Sequence, residues 1–279
     1  MEIFRTRQEL SEYLSAPNNL DKIKGLVPTM GALHQGHLSL IEFASKNCDL
    51  VICSIFVNPT QFNDAKDLEK YPRPVAQDIA KLESVTCDVL FLPEITEMYS
   101  GDEKWTIDLG TLDQQLEGEL RPGHYQGVTQ IVNKFLDVIK PDKAFFGQKD
   151  YQQFLVILKM VQTLNIPVEL VMCPIIRETD GLAMSSRNIH LSADDREIAH
   201  NLYKSLSKTQ AEFPDAEIAE VEKRAEQFLK SIPGLTLEYF SIRRADTLEL
   251  PKPGLKSDLI ALVAAKVGNT RLIDNIMLS

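Results

Sequence analysis

The run LVICSIFV at residues 50–57 is apolar at every position but Ser54 and rich in β-branched residues. Such a run suits a strand covered on both faces, the setting of a parallel sheet flanked by helices. Parallel neighbours cannot be joined by a hairpin; they need a crossover, usually a helix. The chain up to about residue 175 alternates in that way. Residues 23–28, 88–93 (DVLFLP), 143–146 and 168–173 read as further strands. Between them lie helical patterns: Leu38, Ile41, Phe43 and Ala44; residues 76–84; the stripe Val128, Ile131, Val132, Phe135, Leu136 and Ile139, closed by Pro141; and residues 151–164. The alternation predicts an α/β fold, a Rossmann-like doubly wound parallel sheet.

Lesser elements fill the gaps. Residues 1–20 read as a small helix, with Thr6 as cap and Pro17 closing it. The polar stretch that runs to Pro74 reads as a loop, 105–109 as a short strand, and 121–127 (RPGHYQG) as a turn-rich loop. After about residue 175 the pattern changes. Ser192 and Asp195 form a capping-box pattern ahead of helices at 193–213 and 216–231, and strand-like runs follow at 237–242, 259–267 and 271–277. The expected division is a Rossmann-like domain over 1–175 and a smaller α+β domain over 176–279.

Net charge of −10 and a pI near 5.1 argue against a nucleic-acid or anionic-membrane partner. The N-terminal MEIFRTRQEL lacks the apolar core of a signal peptide, and no run approaches the roughly 18 to 20 apolar residues of a membrane span. The cysteines, Cys48, Cys53, Cys87 and Cys173, form no C-x-x-C and lie in or beside apolar runs. They are expected as buried, reduced thiols, with a cytoplasmic location. No P-loop and no G-x-G-x-x-G after the first strand is present, which disfavours P-loop hydrolysis and dinucleotide redox chemistry.

Ligands of open parallel sheets sit outside the carboxyl ends of strands. The first strand leads into Met30, Gly31, Ala32, Leu33, His34, Gln35, Gly36 and His37. The histidines, three apart, fall on neighbouring positions at a helix start, where unpaired N–H groups and the helix dipole suit a phosphate. The second strand ends at Asn58 and Gln61. The strand at 143–146 delivers Gly147, Gln148, Lys149 and Asp150, with Gln153 one turn on. The last leads to Ile176, Arg177 and then Met184, Ser185, Ser186 and Arg187. Imidazoles, a lysine, an arginine and serines are donors for a polyphosphate, and Asp150 is an acceptor for ribose hydroxyls. Gln61 and Gln153 offer neutral amides suited to a small polyol or hydroxy acid. Singly, each is more readily structural or solvated than functional; their shared place at strand ends is what points to one site. His124 is open between a site role and surface exposure, while His190 and His200 read as structural or solvated.

The segments PTMGALHQGH (28–37), FVNPTQF (56–62), RPGHYQGV (121–128), FGQKDYQQ (146–153) and LAMSSRN (182–188) together resemble the pantothenate synthetase (pantoate–β-alanine ligase) family, within the H-x-G-H nucleotidylyltransferase superfamily. The resemblance spans nearly the whole chain. It implies a two-step ligation: pantoate attacks the α-phosphorus of ATP, giving pantoyl adenylate and pyrophosphate, and β-alanine then displaces AMP. It also implies ATP binding by Met30, Gly31, Ala32, Leu33, His34, Gln35, Gly36, His37, Gly147, Gln148, Lys149, Asp150, Ile176, Met184, Ser185, Ser186 and Arg187. Gln61 and Gln153 would hold pantoate, and Gln61 also β-alanine. His37 would be the proton donor, with His34, Lys149, Ser186 and Arg187 also catalytic. Mg2+ would accompany ATP, and the chain would be a homodimer. In this picture the first domain holds nucleotide and pantoate, and the second closes over the ATP site. No protein ligand of the Mg2+ is assigned; Asp78 is a guess. A loop that closes over the adenylate is expected at 62–71 or 178–187. The rivals are another nucleotidylyltransferase, which would keep the nucleotide in its product, a tRNA synthetase, disfavoured by the negative charge, and a nucleotide-sensing module without turnover.

Overall fold

The computed structural model describes residues 1–63, 65–101, 103–252 and 254–278. Strands β1 (Glu2–Phe4), β2 (Lys24–Thr29), β3 (Leu50–Ile55), β4 (Val89–Phe91), β5 (Lys143–Gly147) and β6 (Glu169–Cys173) form a six-stranded sheet in the order β1-β4-β3-β2-β5-β6. Every pairing in it is parallel. Each residue of β3 is buried, as its composition requires. Helices Gln35–Ser45, Val75–Glu83, His124–Ile139 and Tyr151–Leu164 lie in the connections. They bury Leu40, Ile41 and Leu82 in a core with Val51, Leu90 and Phe145. Strand order reverses at β2, the place where ligands of such sheets bind.

The chain divides into two compact units, Met1–Gly147 with Gln152–Cys173, and Gln148–Tyr151 with Pro174–Ser279. The second unit holds a three-stranded antiparallel sheet of β7 (Leu235–Arg244), β8 (Leu259–Val267) and β9 (Thr270–Leu278). Helices Asn201–Glu212 and Ile218–Lys230 cover it through Leu202, Leu206, Val221 and Leu229. The Ser192–Asp195 capping box starts helix Ala193–Ala199 as expected.

Several local expectations need correction. Residues 1–20 contain a strand as well as helix Arg7–Ser15, which Thr6 caps. Strand β1 is too short to show a period and exists by pairing with β4. The stretch before Pro74 contains helix Ala65–Lys70, closed when the Arg73 guanidinium donates to the carbonyls of Leu68 (2.7 Å) and Tyr71 (2.8 Å); Asp64, in the same stretch, lies outside the described residues. Residues 105–109 alternate like a strand but pair with a side chain. The Gln126 amide accepts from Ile107 N–H and donates to Ile107 C=O, both at 3.0 Å. The helix expected from Val128 begins at His124. Gly127 lies within it because a Cβ there would run into the Thr60 carbonyl. The helix expected over 193–213 breaks at His200, where the Asn201 amide takes the carbonyls of Glu197 (3.2 Å) and Ile198 (3.0 Å).

All the cysteines are free; Cys53, Cys87 and Cys173 are buried and Cys48 is half-buried. Burial pushes the Cys87 thiol up to about 12 and Cys173 to about 11. Among the described residues no helix is long and apolar enough to cross a membrane.

Candidate active site

At the end of β2 the backbone turns through consecutive left-handed residues, Gly31 (φ 80°) and Ala32 (φ 49°). A Cβ at Gly31 would stand 3.0 Å from Ile55 Cγ2 and 3.1 Å from Asp78 Oδ2, a tight fit that adds to the strain a side chain would meet at this positive φ. The strain at Ala32 is held by Asp78, which is 1% exposed. Its Oδ2 accepts from Ala32 N–H and its Oδ1 from Leu33 N–H, each at 2.8 Å. From the same helix, Lys81 Nζ donates to the Leu33 carbonyl at 2.6 Å. Thr29 Oγ1 accepts from Gly31 N–H at 3.2 Å and donates to the Ser54 carbonyl at 2.8 Å. Each Asp78 oxygen therefore accepts from a backbone donor of the turn, so this carboxylate anchors the turn.

The turn ends at His34, the N-cap of helix Gln35–Ser45. His34 Nδ1 accepts from Gly36 N–H at 3.1 Å, and His37 Nδ1 accepts from His34 N–H at 3.4 Å. This is a capping box made of two imidazoles. A neutral ring that accepts at Nδ1 carries its hydrogen on Nε2. The rings thus consume N–H groups that the helix start would present to a phosphate, and a neutral ring in this arrangement has an Nε2–H group as its donor.

Gln61 ends the short 3-10 turn Pro59–Gln61 and is buried. Its Oε1 accepts from Asn58 Nδ2 at 3.1 Å, and its Nε2 lies 2.9 Å from Met30 Sδ. Its carbonyl accepts from His124 Nδ1 at 2.7 Å, while Arg121 Nη1 lies 3.0 Å from His124 Nε2. An Nδ1–H tautomer satisfies both contacts. His124 is buried, so the surface-exposed reading does not hold; its ring supports the Gln61 backbone. Buried Asn58 is the hub: it also donates to the Gly127 carbonyl at 3.0 Å and accepts from Tyr99 OH at 2.6 Å. Burial pushes the Tyr99 hydroxyl above its usual value. The segment 121–127 therefore buttresses Gln61. Gln153 is half-buried near the start of helix Tyr151–Leu164. Its neighbour Gln152, to which the sequence reading gives no role, ties down residues 112–115 by donating to the carbonyls of Leu112 (2.7 Å) and Gln115 (2.8 Å).

In the second unit, Gln148, Lys149 and Asp150 form a 3-10 turn. Lys149 Nζ is 3.5 Å from Asp150 Oδ1. Residues 176–184 form a narrow hairpin, with Arg177 bridged to Ala183 and Met184 N–H bonded to Ile176 C=O at 3.0 Å. Ser185 then caps the 3-10 helix Ser186–His190, its Oγ accepting from Arg187 N–H at 3.2 Å. Asn188 Nδ2 donates to Glu178 Oε1 (2.7 Å) and Ala183 O (3.1 Å), and Arg196 pairs with Glu178 and Asp180. Arg177 is committed to Asp274, at 2.6 and 3.0 Å, and lies over the Tyr203 ring. Each unit so gathers its own candidates: Met30, His34, His37 and Gln61 in the first, Gln148 to Asp150 and Ser185 to Arg187 in the second.

The sequence profile described as Pantoate-beta-alanine ligase matches residues 2–277. This chain belongs to that family. Pantothenate synthetase from Porphyromonas gingivalis is 43% identical over 277 residues, covering 99% of each chain. A crystal structure of pantothenate synthetase from Thermus thermophilus superposes with a TM-score of 0.93 at 38% identity, covering 99% of each chain. A pantoate-beta-alanine ligase from Francisella tularensis, complexed with beta-gamma ATP and beta-alanine, gives a TM-score of 0.82 at 35% identity, with 99% of this chain and 97% of that chain covered.

As a member of the pantoate–β-alanine ligase family, the protein is an enzyme, and its reaction is the ATP-dependent ligation of pantoate and β-alanine. For that reaction the glutamine environment of the first unit is suitable. A carboxylate nucleophile is oriented by amides without being neutralised, whereas a bidentate arginine would stabilise its ground state. Residues that sequence reasoning did not find are the supports: Asp78 as the anchor of the β2 turn, Gln152, Asn188 and Asn275. Asp78, Gln152 and Asn275 act through hydrogen bonds to distant backbone, which no local motif encodes, while Asn188 closes its own hairpin through Ala183 and Glu178.

Proposed function

We propose that this ligase works through a pantoyl adenylate, and that its imidazole pair acts on the phosphates of ATP. The supporting observation is that both Nδ1 atoms accept from backbone N–H, which leaves Nε2 as the donor atom of each neutral ring. In the first step a pantoate carboxylate oxygen attacks the α-phosphorus and the bond to pyrophosphate breaks. Charge grows on the leaving oxygens, where N–H donors and cations lower the barrier most. His37 donates there, by hydrogen bond or proton, with His34 beside it. Lys149, Ser186 and Arg187 supply charge and hydroxyl donors to phosphate oxygens; the remaining ATP contacts come from residues 30–37, 147–150, Ile176, Met184 and Ser185. Gln61 and Gln153 orient pantoate, and Gln61 also receives β-alanine. In the second step the amine attacks the acyl carbon and AMP leaves.

Mg2+ enters as part of MgATP, offsetting phosphate charge. A cytoplasmic homodimer without a nucleic-acid partner accords with the family resemblance and the net charge of −10.

The test separates the half-reactions. His37→Ala and Lys149→Ala should slow adenylate formation by about 10²- to 10³-fold, the scale of one lost preorganised donor. With pre-made pantoyl adenylate, both variants should form pantothenate at nearly the parent rate. Equal slowing of both steps would refute the phosphate role.

A further inference from the structure

Adjacent residues of β9 hold both of the second unit's candidate phosphate-binding segments. Asp274 and Asn275 are each 2% exposed. The Asn275 amide spends both of its hydrogens on one turn: Nδ2 donates to the carbonyls of Gln148 and Lys149, each at 3.0 Å. Its Oδ1 accepts from Gln148 Nε2 at 3.1 Å. Next to it, Asp274 receives Arg177 through Nη1 (2.6 Å) and Nη2 (3.0 Å). The same guanidinium donates to the carbonyls of Gly181 (3.1 Å) and Asn275 (3.2 Å). Arg177 opens the hairpin that closes at Ala183, and Met184 to Arg187 follow directly.

This arrangement is costly if its purpose is stability alone. Burial pushes the Asp274 carboxyl above its usual value, against the pull of Arg177 and of the nearby Lys149 charge. A buried ion pair commonly adds less stability than apolar side chains of the same volume, and its best-attested use is to fix one geometry. Here the fixed geometry is that of the turn bearing Lys149 and of the hairpin leading to Ser186 and Arg187.

We propose that Asn275 and Asp274 are positioning residues for adenylate formation: Asn275 holds the turn that aims Lys149, and Asp274, through Arg177, holds the hairpin that delivers Ser186 and Arg187. This rests on the phosphate role assigned to Lys149 above, so the experiment carries that residue as a control.

Adenylate formation is measured in single turnover for the parent, Asn275→Ala, Asn275→Asp, Lys149→Ala and the double variant Lys149→Ala/Asn275→Ala, with folding followed by circular dichroism. Asn275→Ala and Asn275→Asp should slow this step about 10- to 100-fold, the effect of a small misplacement of a reacting group. Conversion of pre-made pantoyl adenylate should stay within about threefold of the parent. A residue that acts through Lys149 has little left to lose once Lys149 is gone. The double variant should therefore fall within about twofold of Lys149→Ala, where independent sites would multiply their losses. Multiplied losses, equal slowing of both steps, parent-like Asn275 variants, or failure of both Asn275 variants to fold would each overturn the positioning role. Unimpaired adenylate formation in Lys149→Ala would refute the Lys149 assignment itself, a result distinct from a slow Lys149→Ala beside an unaffected Asn275→Ala.

Discussion

The imidazoles of His34 and His37 stand 4.0 Å apart, centroid to centroid, with planes 34° from parallel. Each turns Nδ1 to the backbone of the turn they share. A glutamine amide nitrogen reaches about as far as Nε2, and an asparagine amide only as far as Nδ1. His37→Gln should therefore keep part of the phosphate contact, and His37→Asn only the contact to His34 N–H. The expected outcome is adenylate formation about tenfold faster in His37→Gln than in His37→Asn, a fraction of the 10²- to 10³-fold worth of a preorganised donor. Rapid-quench kinetics on both variants decides it. A faster asparagine variant would mean that Nδ1 is the working atom.

Asp78 bears on the same turn from the other side. Asp78→Asn keeps the shape but sets an NH2 group against one of the two N–H donors it now satisfies. The loss should be about 1 to 3 kcal/mol, seen as a melting temperature lower by several degrees, on the order of 2 to 4 °C per kcal/mol for a chain of this size. The Mg2+ concentration needed for activity should not move. Parent-like melting with a raised Mg2+ requirement would return Asp78 to the metal.

Gln153→Ala should act on pantoate alone. One neutral hydrogen bond lost corresponds to roughly 0.5 to 1.5 kcal/mol, which is about a 2- to 12-fold rise in the pantoate KM with the ATP KM unchanged. The reverse pattern in steady-state kinetics would move Gln153 out of the acid pocket.

A pH effect on stability follows from Glu103. Its carboxyl is held at about 2, first by the Lys134 ammonium 2.5 Å away and then by the backbone and hydroxyl of Ser100. A carboxyl lowered in the folded state adds stability that is complete above its unfolded value near 4.5 and fades as pH falls towards about 2. Glu103→Gln should thus be less stable than the parent at pH 7 by no more than about 1 kcal/mol, given the partly exposed setting. The gap should close between pH 4.5 and 2 in thermal melts. A gap that persisted to pH 2 would show that the carboxylate charge is not its source.

What was legible in the sequence was what local pattern encodes. The buried run of β3 is a continuous apolar string, and the helix from His124 carries its stripe in plain view. The candidate side chains also stood out, because they follow strand ends. Elements made by partners far along the chain were hidden. Strand β1 exists through β4, and residues 105–109 are paired by one glutamine. The supports of the candidate site were hidden for the same reason: Asp78 meets Ala32 from 46 residues away, and Asn275 meets Gln148 from 127.

The stepwise route stands or falls on pyrophosphate. Enzyme in excess over ATP is mixed with Mg2+ and pantoate, without β-alanine, and quenched over time. Release of about one pyrophosphate per ATP, with pantoyl adenylate retained, is the expected result. Pyrophosphate that appears only once β-alanine is added would contradict an adenylate formed ahead of the amine.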